Sequence, residues 1–302
     1  MKYRVTVLGL ILAMPLHAVE EKSQDLVEQG RQVFYAASCA ACHTDSKNNG
    51  EPLAGGYPLK TDFGIFYAPN ISPDVETGIG SWSDEDFIQA MQQGISPEGE
   101  HYFPSFPYTA YTKMRREDVL ALKAYLFSQK AVKKTNKNHD LPFYMRIAPS
   151  ARIWKSQYFK AGEFKKEKNQ SEEWNRGAYL VEALGHCSEC HTPRKGLGVL
   201  DKDNAFAGVQ KLTGVGTVPN ISPDKKTGIG RWSKDDLVYY FETGTTLSGD
   251  SSGGKMAGII DDSLSQLPAS DRKAIAEYLL SLKPVVNEIK KKKKKREKEE
   301  FE

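Results

Sequence analysis

Four cysteines and two histidines have the spacing that most clearly predicts chemistry in this chain. They form two Cys-x-x-Cys-His motifs, made of Cys39, Cys42 and His43 and of Cys187, Cys190 and His191. On one helical turn the two thiols face the same way and can each add to a vinyl group of a haem, while the adjacent imidazole can bind the iron. The pattern therefore predicts two covalently bound haem c groups, with His43 and His191 as axial iron ligands.

Three other uses of these cysteines compete with haem attachment. A zinc site needs four convergent ligands, whereas the two pairs are 148 residues apart and each His is too close to its cysteines to chelate the same ion easily. A thioredoxin-like redox pair belongs in a parallel-sheet setting, and no strand pattern precedes either motif. A structural disulfide within each pair would not explain the histidines. Covalent haem accounts for all six residues.

The elements that position these motifs are repeated along the chain. Residues 68–83 and 218–233 are identical at twelve of sixteen positions, at an offset of 150. The Cys motifs match at an offset of 148, and the helical patterns that end at Leu126 and Leu279 match at 153. Self-similarity of this kind predicts two tandem copies of one domain.

Each copy is predicted to be all-α and loop-rich. A first helix leads into the Cys motif, a short helix is capped by Ser83 or Ser233, and an apolar face marks a closing helix, which Ser270 can cap in the second copy. Glycines in the first helix would let it cross closely over the closing helix, near Tyr125 or Tyr278. So many loops leave too little apolar area for a core, and the haem is expected to fill it.

The two ends of the chain have compositions of their own. Residues 1–18 have a basic start and a short apolar stretch, which predicts a cleaved secretory signal and a periplasmic protein. Residues 290–302 carry a net charge of +4. They are expected to form a solvated tail or an electrostatic tether to acidic lipid or an acidic partner. Residues 1–18 carry a net charge of +2, and the whole chain carries +3. Residues 19–289 therefore carry a net charge of −3. A nucleic-acid partner is not expected.

These patterns divide the chain into a signal (1–18), a first domain (19–130), a linker (131–171), a second domain (172–286) and a charged tail (287–302). The linker is rich in lysines and aromatic residues and is expected to pack across both domains. Proline carbonyls at Pro69 and Pro219 are expected to accept a hydrogen bond from the ligand imidazoles. His186, beside Cys187, is expected at the surface.

Several longer motifs resemble one family. They are Leu53–Tyr57, Pro69–Pro73 with Thr77–Gly80, Trp82–Asp86, Phe103–Tyr108 and Trp174–Cys187. Across residues 25–283 the chain resembles the dihaem and trihaem cytochromes c related to the cytochrome subunits of bacterial membrane-bound alcohol and gluconate dehydrogenases. The resemblance implies two cytochrome c domains that carry electrons from a periplasmic or membrane-bound dehydrogenase to an oxidase, quinone or another cytochrome.

The sixth iron ligand differs between the two copies. Electron-transfer haems of this type usually take a Met opposite the His. The resemblance places that ligand at Met256 in the second copy, but the offset of 150 brings Met256 onto Phe106, which cannot bind iron. Met114 is the leading candidate in the first copy, although it maps onto Leu267 at a packing position; His101 and an open site are the alternatives.

An open first site would favour a second function. In that case the chain would be a haem enzyme acting on a small substrate such as peroxide or a sulfur oxyanion, and not only an electron carrier.

Overall fold

The computed structural model describes residues 16–147 and 149–290, with side chains from residue 23 onward. Residues 1–15 of the predicted signal and residues 291–302 of the predicted tail lie outside the described part. Within that part, no helix combines the length and the apolar character needed to cross a membrane.

Two halves repeat the same order of elements. The first contains α1 (Leu16–Ala36), α2 (Ala40–His43), β1 (Pro58–Thr61), β2 (Gly64–Tyr67), α3 (Asp84–Ile88), α4 (Tyr108–Tyr111) and α5 (Arg116–Phe127). The connecting segment contains α6 (Phe143–Arg146) and α7 (Ser150–Tyr158). The second half contains α8 (Glu172–Tyr179), α9 (Ser188–His191), β3 (Val209–Leu212), β4 (Gly216–Val218), α10 (Lys234–Thr243), α11 (Gly254–Asp262) and α12 (Ala269–Ser281).

Irregular helical turns complete the two halves. Wide π-type turns at Gln89–Gln93 and Leu180–Leu184 continue α3 and α8, and four single 3₁₀ turns lie at Ser46–Asn48, Gly196–Gly198, Lys202–Asn204 and Leu264–Gln266. The architecture is therefore mostly helical, as predicted.

The expectation that no strands form is corrected by two short antiparallel hairpins. β1 pairs with β2, and β3 pairs with β4. Each strand has only three or four residues, which is too short for an alternating apolar pattern to be visible in the sequence. Gly64, at φ +122°, supplies the backbone conformation that the first hairpin turn needs.

The long helices cross at glycines, as predicted. α1 packs on α5 and α8 packs on α12. A Cβ atom added at Gly30 would lie 1.9 Å from the carbonyl oxygen of Ala121, and one at Gly177 would lie 1.9 Å from that of Ala274. Only a hydrogen side chain permits this approach.

Of the three helix N-caps predicted from the sequence, two are confirmed. Ser83 and Ser233 cap α3 and α10, each through a capping box completed by an aspartate three residues later. The predicted cap at Ser270 is wrong, because α12 begins at Ala269 with Pro268 at the cap position. Proline has the fixed φ of that position, here −55°, and provides no capping side chain.

In each half, the segment after the closing helix packs on the repeated Asn-Ile-Ser turn. We call these two segments, around Val132 in the first half and around Val285 in the second, the straps. Asn70 Nδ2 donates to the carbonyl oxygen of Val132 at 2.7 Å, and Asn220 Nδ2 donates to that of Val285 at 2.8 Å. Both asparagines are buried. The first strap lies just beyond the predicted boundary at residue 130 and packs on the first half.

The connecting segment contacts both halves, as predicted. Trp154 Nε1 donates to the carbonyl oxygen of Leu197 at 2.8 Å in the second half, and the Lys155 ammonium donates to the carbonyl of Gln93 in the first. The linker therefore packs against both halves.

Candidate haem-attachment sites

Each Cys-x-x-Cys-His motif forms a single helical turn at the end of a sharp bend. The residues that precede the motifs, Ser38 and His186, have positive φ values of 51° and 37°. The chain then turns at once, so that the amide nitrogens of His43 and His191 donate to the carbonyls of Cys39 and Cys187, both at 3.0 Å. One turn therefore brings both thiols and the imidazole of each motif into one short segment.

All four cysteines are free thiols and are partly buried. Burial raises the pKa of the Cys39 and Cys187 thiols to about 12, so both are protonated at neutral pH. Reactive redox cysteines need thiolates, whose pKa is lowered by their surroundings. The environment of these thiols therefore does not favour a redox pair. In the described part of the chain, no three His, Cys, Asp or Glu side chains are grouped as a metal site.

The imidazoles are oriented as the sequence predicted. Nδ1 of His43 donates to the carbonyl oxygen of Pro69 at 2.8 Å, and Nδ1 of His191 donates to that of Pro219 at 2.9 Å. Because a carbonyl only accepts, the proton is on Nδ1 and Nε2 keeps its lone pair. Burial lowers the pKa of both histidines and favours this neutral form. Two thiols and one imidazole with a free Nε2 fit the donor set that a covalently attached haem needs.

The candidate sixth ligands lie in different surroundings. Met256 is on α11 and is partly buried, whereas Met114 is fully buried in the apolar core and Leu267 is buried at the equivalent position. Phe106 packs against Tyr111, with ring centroids 5.6 Å apart. His101 is partly buried, and its Nδ1 has no hydrogen-bond partner among the described residues. The assignments of Met256 and Met114 remain predictions.

The two Cys turns are close together, which the sequence did not predict. In the second half, α11 packs on α2 of the first half, and the Ser38 hydroxyl donates to Ser263 Oγ at 2.9 Å. In the opposite direction, α4 of the first half packs beside the second motif, where Thr109 Oγ1 donates to Glu189 at 3.2 Å. Each half thus covers the Cys turn of the other with the segment that precedes its own closing helix.

His186 was predicted at the surface, but it lies at this junction and is partly buried. Its ring packs edge-on against Tyr111, with ring centroids 5.6 Å apart, and the Tyr111 hydroxyl donates to the carbonyl of Ala37 at 3.2 Å. Burial lowers the pKa of His186. A repeat in sequence shows that two halves exist but carries no signal for how they face each other.

Comparisons with known proteins find relatives of this chain. A cytochrome c family model matches residues 27–130. A dihaem c-type cytochrome of Cereibacter sphaeroides is 43% identical over 281 residues, covering 90% of this chain and 92% of that protein.

Two further relatives are named as parts of dehydrogenases. The fructose dehydrogenase cytochrome subunit of Gluconobacter japonicus is 38% identical over 258 residues, covering 85% of this chain and 52% of the relative. The gluconate 2-dehydrogenase cytochrome c subunit of Pantoea cypripedii is 34% identical over 288 residues, covering 92% of this chain and 65% of the relative. This chain therefore spans less than two thirds of either subunit.

The chain belongs to the cytochrome c family, among the dihaem cytochromes c related to the cytochrome c subunits of alcohol and gluconate dehydrogenases. The resemblance read from the sequence is thereby confirmed. Membership implies covalently bound haem c.

Proposed function

We propose that this protein is a periplasmic dihaem c-type cytochrome that carries single electrons from a dehydrogenase to a respiratory acceptor. The observation that carries the proposal is the pair of Cys-His turns, each with two free thiols and an imidazole fixed by a proline carbonyl. A bound haem c supplies a one-electron iron couple. The protein supplies the attachment points, the ligands and the burial that sets the potential.

The attachment chemistry uses only groups of this chain and the two vinyl groups of each haem. Each S–H bond adds across one vinyl double bond, so that a C–S bond forms and the hydrogen is transferred to the other vinyl carbon. Cys39 and Cys42 would hold one haem and Cys187 and Cys190 the second, with His43 and His191 as axial ligands. We propose Met256 as the sixth ligand in the second half and Met114 in the first.

The names of the relatives support a dehydrogenase as the electron donor. The predicted signal supports a periplasmic location for this cytochrome. We propose an oxidase, a quinone or another cytochrome as the electron acceptor. The basic tail after residue 290 is proposed to give peripheral membrane contact by attraction to acidic lipid.

Haem retained by the denatured chain tests the proposal. The double change Cys39→Ser with Cys42→Ser should halve the haem that stays with the denatured protein, because one of the two attachment turns is lost. The double change Cys187→Ser with Cys190→Ser should give the same loss, and the two together should remove all of it. The measurement is the haem-to-protein ratio from the absorbance of the pyridine complex.

Ser188→Ala is the matched control, because it lies in the second turn and contributes no thiol; it should leave the ratio at two. An unchanged ratio in either double variant would refute attachment at that motif.

A further inference from the structure

The two straps carry different side chains at an equivalent position. In the first strap the backbone N–H of Lys134 donates to Thr77 Oγ1 at 3.0 Å, and in the second the backbone N–H of Asn287 donates to Thr227 Oγ1 at 3.1 Å. Both side chains are partly buried. Lys134 and Asn287 therefore occupy the same place in the two halves.

The side chains at this position make the same kind of contact. Lys134 Nζ donates to the carbonyl oxygen of Gly55 at 2.9 Å. Asn287 Nδ2 donates to the carbonyl oxygen of Ala207 at 2.9 Å and to that of Gly208 at 3.4 Å. The first half therefore holds an ammonium group where the second half holds a neutral amide.

Gly55 connects the Lys134 ammonium to the first ligand histidine. The N–H of Gly55 donates to the carbonyl oxygen of His43 at 2.8 Å, and a Cβ atom added at Gly55 would lie 2.5 Å from the carbonyl oxygen of Pro69. That proline carbonyl accepts from His43 Nδ1 at 2.8 Å. One residue, Gly55, therefore lies between the ammonium and the carbonyl that orients the His43 ring.

The second half has the same backbone around its ligand histidine. The N–H of Gly208 donates to the carbonyl oxygen of His191 at 2.7 Å, and a Cβ atom added at Gly208 would lie 2.6 Å from the carbonyl carbon of Pro219. The backbone arrangement is therefore common to both halves, and at this position of the strap the two halves differ by one charge.

The charge of Lys134 is not cancelled by a neighbouring carboxylate. The other strap lysines, Lys130 and Lys133, pair with Glu51 at 3.5 Å and with Glu76 at 2.5 Å. Among the described residues, no carboxylate lies within 4.0 Å of the Lys134 ammonium. A partly buried charge is also screened less by salt than an exposed one.

We propose that Lys134 selectively raises the reduction potential of the first haem. This inference rests on the proposed function, because it requires a haem at each Cys turn. A nearby positive charge disfavours the ferric iron, which carries one more positive charge than the ferrous iron. The effect is greatest on the haem that His43 binds, because Coulomb interactions fall with distance.

Potentiometric titration of the holoprotein, followed by haem absorbance, tests this role with a reciprocal pair of variants. Lys134→Gln removes the charge and keeps an N–H donor for the Gly55 carbonyl, so one of the two potentials should fall. Asn287→Lys introduces a charge in the second half, so the other potential should rise. Lys134→Arg keeps the charge and should leave both potentials near those of the unaltered protein.

Lys133→Gln is the matched control, because Lys133 is the preceding residue of the same strap and its side chain is 67% exposed. It changes the net charge of the protein by the same amount and leaves the contact between Lys134 and Gly55 in place. Both potentials should stay where they are. A fall equal to that in Lys134→Gln would mean that only net charge matters, which would refute the role of Lys134.

The outcomes separate this inference from the proposed function. If the unaltered protein holds fewer than two haems, the proposed function fails. If it holds two, and Lys134→Gln moves neither potential or both by the same amount, the selective role of Lys134 is refuted. The role is also refuted if Asn287→Lys raises the same potential that Lys134→Gln lowers.

Asn287→Lys gives the test by itself should Lys134→Gln fail to fold. It adds a charge at a partly buried position of the second strap, so one potential should rise by more than the other. An equal rise in both potentials, or no rise in either, would contradict the proposal.

Discussion

Asp118 shows how a single buried carboxylate connects three helices. Its side chain is only 4% exposed. Oδ2 accepts from the Tyr179 hydroxyl at 2.6 Å and from the Arg115 guanidinium at 2.7 Å, and Oδ1 accepts from Gln29 at 2.9 Å. Burial alone would raise the pKa of Asp118, but these hydrogen bonds outweigh burial and hold the pKa below its usual value. The folded protein therefore favours the charged form.

Asp118→Asn should lower the free energy of unfolding at pH 7 by about 2–3 kcal/mol, because charge-assisted hydrogen bonds become neutral ones. A carboxyl whose pKa is lowered by folding contributes stability above its unfolded pKa, and that contribution is lost as the pH falls through the folded pKa. The difference in the free energy of unfolding between the variant and the unaltered protein should therefore become smaller below about pH 4. Urea denaturation at pH 7 and pH 3 measures both values.

Asp203→Asn provides the control, since this carboxylate is 86% exposed in its pair with Lys195. It should change stability by less than about 0.5 kcal/mol. A gap for Asp118→Asn that stays constant between the two pH values would show that its charge does not contribute.

The haem-attachment residues could be predicted from the sequence because their chemistry is local. The two thiols and the imidazole lie within five residues of each other, and Pro69 and Pro219 belong to the repeated turn. Lys134 and Gly55 are 79 residues apart, and their contact depends on where the strap packs on the first half. No spacing rule predicts a pair of that kind.

At the scale of elements, the glycine crossings determine how closely the long helices approach. Gly30 and Gly177 face a carbonyl oxygen and the Cβ of a tyrosine on the closing helix, so the same contact occurs in both halves. These helices were predicted from apolar periodicity. The hairpins were missed because tertiary contacts, such as the bridge between Ile65 and Asp140, stabilise strands too short to show a pattern.

Gly177→Ala should lower the free energy of unfolding by about 3 kcal/mol, because the added methyl group must push α8 away from α12. Gly30→Ala should have a similar effect on α1 and α5. Denaturant unfolding followed by circular dichroism gives the values.

Gly258→Ala is a matched helical control, because no protein atom outside its own stretch of α11 lies within 4 Å of the position its Cβ would take. It should stabilise α11 by about 0.5–1 kcal/mol. If Gly177→Ala and Gly258→Ala lowered the free energy of unfolding equally, the effect would not come from the helix crossing.

At the scale of the whole molecule, the two halves share their packing. One apolar cluster includes residues of both halves, among them Met114, Leu122, Leu184 and Leu279. Across the junction, the Lys113 ammonium pairs with Glu182 at 2.6 Å, and the backbone N–H of Arg115 donates to the Tyr179 hydroxyl at 3.1 Å. Neither half makes these contacts without the other.

We therefore expect the holoprotein to unfold in one cooperative transition. Far-ultraviolet circular dichroism and the Soret absorbance should share one midpoint in denaturant. Amide exchange in α5 and α12 should converge on the same free energy. If α12 stays protected at a denaturant concentration where α5 has exchanged, the halves unfold independently.

The straps also mean that each half is completed by a segment near its C-terminal end. Asn70 follows Pro69, whose carbonyl accepts from the His43 imidazole. The Asn70 amide donates to Thr77 Oγ1 within its own turn, but its other acceptor, the Val132 carbonyl, lies in the strap 62 residues later in the chain. In the second half the corresponding separation is 65 residues. A buried amide without its partner destabilises the turn around it. The ligand histidine of each half therefore gains its final support only when nearly all of that half has folded.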